Sequence, residues 1–88
     1  MSIAPETITA DVAPMEAHLT KYDRAHLGAY LRLLDAAAEH APWEEVADIV
    51  LGIQPSTAPD RARRAHDTHL ARARWMTEQG YRELLRSA

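Results

Sequence analysis

His66, Asp67 and His69 fall within one turn of a helical run and are the first residues to test for metal or acid–base chemistry. Two histidines at i and i+3 can share a metal, but a site needs a third ligand and an open position. No glutamate stands between them as it does in an H-E-x-x-H helix. Both also fall toward the side of that helix expected to face the core, which favours packed, hydrogen-bonded histidines over ligands. His18, His26 and His40 are scattered, and Gly28, Gly52 and Gly80 are too far apart to form a phosphate-binding loop. There is no cysteine, so no thiolate nucleophile, thiolate metal site or disulfide is expected. The carboxylates of Glu44, Glu45 and Asp48 share one helix face and read as a solvated surface. Neither an enzyme nor a cofactor is expected.

The stretch PDRARRAHDTHLARARW, Pro59 to Trp75, holds five arginines in a chain of net charge -3. Its chemistry would be phosphate contact, the dominant source of affinity for nucleic acid. Charge is divided along the chain: up to Asp60 ten acidic residues face Lys21, Arg24 and Arg32, and from Arg61 onward seven arginines face Asp67, Glu78 and Glu83. Such asymmetry points to a partner of one sign or to helices that attract one another.

The elements that position these residues are helical. At 88 residues the chain is long enough for one domain, with a core near the lower limit for folding without staples. Alanine-rich sequence with few β-branched residues favours helix over strand. Residues 1–19 contain Pro5 and Pro14, show no sustained period and are expected to form a flexible arm. Residues 20–88 form the domain. Thr20 and Asp23 resemble a capping box. From there Leu27, Tyr30, Leu31, Leu34, Ala37 and Ala38 make an apolar stripe, which predicts one long helix to about His40. Leu33 lies off the centre of that stripe.

Pro42 suits the first position of a second helix and Gly52 the residue past its end. Trp43, Val46, Ala47 and Val50 share its apolar face. After the connection GIQPSTA, Gly52 to Ala58, Thr57, Pro59 and Asp60 open a third helix. It runs to about Gln79 and stops at Gly80, a natural residue beyond a helix end. Tyr81, Leu84 and Leu85 form a short last turn or helix. The expected fold is all-α, a helix-turn-helix variant with three main helices plus a short C-terminal helix. The N-terminus lacks the basic-then-apolar pattern of a signal peptide, and no apolar stretch is long enough to span a membrane, so a cytoplasmic protein with no membrane partner is expected.

A short helix, a connection and a longer basic helix is the outline of a DNA reader, in which Arg61, Arg64 and Arg72 would contact DNA. Three features argue against it. On a helical wheel the arginines do not form one stripe opposite Ala62, Ala65, His66, His69, Leu70, Ala73 and Met76. Asp60 with Arg64, Arg63 with Asp67 and Arg74 with Glu78 stand at i, i+4, which lowers the positive potential. The acidic face of Glu44, Glu45 and Asp48 would lie near the phosphates and repel them. DNA binding is expected to be weak or absent. Trp75 falls opposite Leu70 and Ala73, either as an exposed anchor for a protein partner or as a ring covered by the arm or by the Tyr81 segment.

The run LRLLDAAAEHAPWEEVADIVLG, the extended connection and RARWMTEQGYRELL resemble a proteobacterial family of extended-turn helix-turn-helix domains. Its most specific pieces are W-x-x-V-A-x-x-x-L-G, Trp43 to Gly52, and G-Y-R-x-L-L, Gly80 to Leu85, and the similarity covers about Leu27 to Leu85. The family occurs as the C-terminal module of FseA-type activators of conjugative-element transfer and as free-standing QseM-like antiactivators. In the activators one side of the module binds DNA and the other docks on the activator's N-terminal domain. The antiactivator is acidic, lacks that N-terminal domain and competes for it. A short acidic chain resembles the antiactivator form. The resemblance implies an activator as protein partner, with a quorum-sensing regulator as a further candidate. Trp75 and Arg72 are the expected contacts, followed by Trp43 and Tyr81, both of which also suit the core.

Overall fold

A computed structural model describes residues 10–86, and every regular element among them is helical. The order is α1 (Lys21–Ala25), α2 (Leu27–Ala38), α3 (Trp43–Ile49), α4 (Pro59–Trp75), a π turn (Met76–Gly80) and α5 (Tyr81–Arg86). Helix α4 is the central element and packs on both α2 and α3. Its inward face is built on Ala62, Ala65 and Ala73, small enough for close approach of Leu33, Val46, Leu51 and Ile53.

Thr20 and Asp23 do form a capping box at the start of α1. The long first helix, however, breaks at His26. There the backbone leaves helical geometry (φ -119°, ψ 23°), and both the His26 N–H and the ring Nδ1–H donate to the Tyr22 carbonyl, at 3.1 and 2.8 Å. The imidazole stacks on the Tyr22 ring with centroids 4.1 Å apart, and the helix resumes with Tyr30 bonding to the His26 carbonyl. Helix α2 then turns a different face to the core. Ala29, Tyr30 and Leu33 are buried, with Leu33 only 1% exposed, while Leu31, expected at the centre of the apolar stripe, is 63% exposed. The buried face is rotated by about one residue, roughly 100°, from the stripe.

Pro42 stands just before α3 rather than inside it. The helix gives way to Val50 and Leu51, and Gly52, at φ 75°, takes the left-handed conformation that lets Ile53 reach back to the Ala47 carbonyl at 3.0 Å. Thr57 does not cap α4. Its hydroxyl donates to the Gln54 carbonyl within the connection, and Ala58 precedes Pro59 without a side-chain cap. Nor does α4 end at Gly80. It passes through the π turn into α5, and Gly80 is buried where a Cβ would meet the Trp75 ring at 2.6 Å and the Met76 sulfur at 2.9 Å. Gly80 is a close-approach residue, not a helix stop.

Over its described part the arm has no regular secondary structure, and it is tied to the helices at several points. Ala13 is buried, its N–H donates to the Thr68 hydroxyl at 3.2 Å, and the Leu19 N–H donates to Glu83 at 2.9 Å. Residues 10–19 therefore lie along one flank of α4; residues 1–9, the remainder of the arm, fall outside the described residues. Among the described residues no helix is long and apolar enough to cross a membrane.

Candidate nucleic-acid and protein interface

The helix-turn-helix consists of α3, the connection Val50 to Ala58 and α4. It places the five arginines of α4 in different environments. Arg61 is exposed and paired with Asp11 of the arm at 2.7 Å. Arg63 is paired with Asp67 at 3.0 Å and lies over the Trp43 ring, 4.9 Å from its centroid. Burial would raise the Asp67 carboxyl, but hydrogen bonds from His66 and Arg63 hold it below its ordinary value. Arg64 and Arg74 are exposed and have no ion-pair partner among the described residues, so the Asp60–Arg64 and Arg74–Glu78 pairs expected from spacing do not close.

Arg72, expected as a contact, is buried, and its guanidinium is engaged within the chain. Its Nε and one terminal nitrogen donate to the two oxygens of Asp23 at 2.9 and 2.6 Å. The other donors reach the Glu16 carbonyl at 2.6 Å and the His18 carbonyl at 2.9 Å, so Arg72 ties the arm to the domain. The guanidinium stacks 3.8 Å from the centroid of the Trp75 ring. Asp23 also accepts from the Tyr30 hydroxyl at 2.8 Å and from the Thr20 N–H at 2.9 Å. Burial alone would raise its pKa, yet these donors, Arg72 first, lower it to about 2. In turn, burial and the hydrogen bond to Asp23 push the Tyr30 hydroxyl well above its ordinary value.

Trp75 is half-buried rather than an open anchor. It borders a pocket of about 250 Å³ between α4 and the arm, shared with Ala13, Pro14, Met15 and Ala71. Trp43 is half-buried beside Arg63 and His66, and Tyr81 is exposed beyond the C-terminal end of α4. The structure thus brings Arg72 to Trp75 and Arg63 to Trp43, and leaves Tyr81 apart from both pairs. Sequence reasoning treated Asp23 only as a cap and did not find it as the partner of Arg72. The two are 49 residues apart, and no local pattern marks the pairing.

The histidine cluster is divided in the same way. His69 is fully buried, with Nε2 2.6 Å from the Tyr22 hydroxyl and Nδ1 2.7 Å from the Ala65 carbonyl. The carbonyl can only accept, so Nδ1 carries the proton and Nε2 accepts from Tyr22. Burial lowers the His69 pKa. His66 turns instead to Asp67, its Nδ1 2.9 Å from the carboxylate. Among the described residues no group of three or more metal-binding side chains converges.

On the neighbouring helix Glu44, Glu45 and Asp48 are all exposed and, with Gln54, Pro55 and Ser56, line a shallow depression at the mouth of the turn. The first helix of the motif is therefore negative at its surface, next to an α4 whose exposed arginines alternate with Asp60 and Asp67.

No curated protein matches the chain. A family model described as T6SS, transcription factor, DNA binding domain, matches residues 4–86. A match of that extent shows the family, and this chain belongs to the RovC-type transcription-factor DNA-binding domains.

Proposed function

We propose that this domain controls transcription as a cytoplasmic, non-catalytic antiactivator: it binds the N-terminal domain of an activator of the FseA type by mimicking the activator's own C-terminal module, and so silences transfer genes of a conjugative element. The carrying observation is the exposed acidic surface of Glu44, Glu45 and Asp48 on the first helix of the motif. In a DNA reader that helix crosses close to the phosphates, where negative charge repels. Two of the five α4 arginines are also held in surface ion pairs, and a third is buried. Trp43, half-buried beside Arg63 and next to the acidic face, is the aromatic contact best placed for a protein partner on this side.

A second reading, a DNA-binding regulator, is favoured by exposed Arg64 and Arg74, which have no ion-pair partner among the described residues, and by the family itself. In that reading Arg61 would join them by leaving Asp11.

Titration into labelled transfer-gene promoter duplexes at low salt, alongside calorimetric titration into the N-terminal domain of an FseA-type activator, separates the two. The antiactivator reading expects heat of binding with the activator domain and no change with DNA. DNA binding that weakens steeply with salt and is reduced by Arg64→Ala and Arg74→Ala would overturn it.

A further inference from the structure

The rotation of α2 leaves apolar side chains outside the core. Leu27, Leu31 and Leu34 form one wall of a groove whose other wall is Met76, Tyr81 and Leu84, and its volume is about 220 Å³. The opening is apolar at the surface: Leu31 is 63% exposed, Tyr81 42% and, on the outer edge of α5, Leu85 68%. Exposed apolar surface rimmed by polar residues is the pattern of an interaction site.

The rims carry opposite charge. On α2 the exposed Asp35 lies one turn beyond Leu31, on the same edge. On the facing side the exposed Arg74 lies beside Ala73, which also lines the groove. Among the described residues neither has an ion-pair partner. A surface with one negative and one positive wall around an apolar slot complements itself under two-fold rotation, because each wall then meets the opposite wall of its mate.

We propose that this groove seats a second copy of the chain in a symmetric dimer. Leu31 of one copy enters the groove of the other, and Asp35 of each reaches Arg74 of its mate. The interface lies at the C-terminal end of α4, away from the acidic face of α3, and does not depend on the activator reading.

Sedimentation equilibrium on the full chain from about 5 to about 500 μM tests it, a range that resolves weak association. The wild type is expected to shift from monomer to dimer across that range. Leu31→Asp, at an exposed position, is expected to keep the helical circular dichroism and remain monomeric throughout. Asp35→Arg and Arg74→Asp are each expected to weaken the dimer several-fold, and the two together to restore it to within about twofold of wild type. A wild type monomeric at every concentration overturns the proposal. A dimer that survives Leu31→Asp, or a charge-swapped pair no tighter than its single variants, overturns it as well.

Discussion

The guanidinium of Arg72 is directed inward, where it grips both oxygens of Asp23 and two carbonyls of the arm. A buried ion pair contributes little beyond what well-packed apolar residues would, but removing one partner leaves an uncompensated charge and costs about 3–5 kcal/mol. His69 is a second buried titratable group, held neutral between Tyr22 and Ala65. Both groups have folded pKa values below their ordinary ones, so the unfolded chain binds more protons and stability falls on acidification. Urea titrations from about pH 8 to about pH 2 should show a first loss as pH drops below 6.5, from His69, and a second from 3.8 down to about 2, from Asp23. Arg72→Leu should be less stable by about 3–5 kcal/mol at neutral pH and should show a smaller second loss, the remainder coming from Asp67, which His66 and Arg63 also hold below its ordinary value. From the sequence, Arg72 could not be told from Arg61 or Arg64. All three are arginines on one helix, and what separates them is a carboxylate 49 positions away.

At the scale of elements, legibility followed how local the cause was. The Thr20–Asp23 box, Pro59 at the first position of α4 and Gly52 in its left-handed turn are set by neighbouring residues, and each marks its boundary. The break at His26 depends on a side chain competing for one carbonyl, and the rotation of α2 follows from that break. Thus Leu33 went inside and Leu31 outside, which hydrophobicity alone does not distinguish. The path after Trp75 depends on tertiary fit. Gly80 was read by its usual role beyond a helix end, whereas here the Trp75 ring and the Met76 sulfur occupy the space of a Cβ. Gly80→Ala is therefore expected to destabilise by about 1–3 kcal/mol through overpacking, against the small gain that alanine brings to an exposed helix position. Thermal unfolding of the two proteins, with tryptophan emission as the probe, should show the variant melting several degrees lower.

Across the whole molecule, the acidic face and the apolar groove lie in different places. The acidic face of α3 stands at the mouth of the helix-turn-helix, and the alanine-lined interior of α4 separates it from the groove bounded by α2 and α5. Fold class and the acidic surface were readable from periodicity and residue type, while the groove was not, because it is the remainder of a stripe that the core did not use. If the acidic face keeps DNA away, the combined Glu44→Gln, Glu45→Gln and Asp48→Asn variant should gain duplex binding that fades with salt, measured by fluorescence anisotropy. The last consequence belongs to the π turn of Met76–Gly80. A π turn carries one residue more than the α-helix it interrupts, so the compass bearing of α5 about the axis of α4 is set by a count. One residue fewer in that turn would swing α5 by about 100° and draw it back by about 1.5 Å. Tyr81 and Leu84 would then point away from Leu27 and Leu31. The same amino acids would remain on α5, and the slot they form with α2 would be gone.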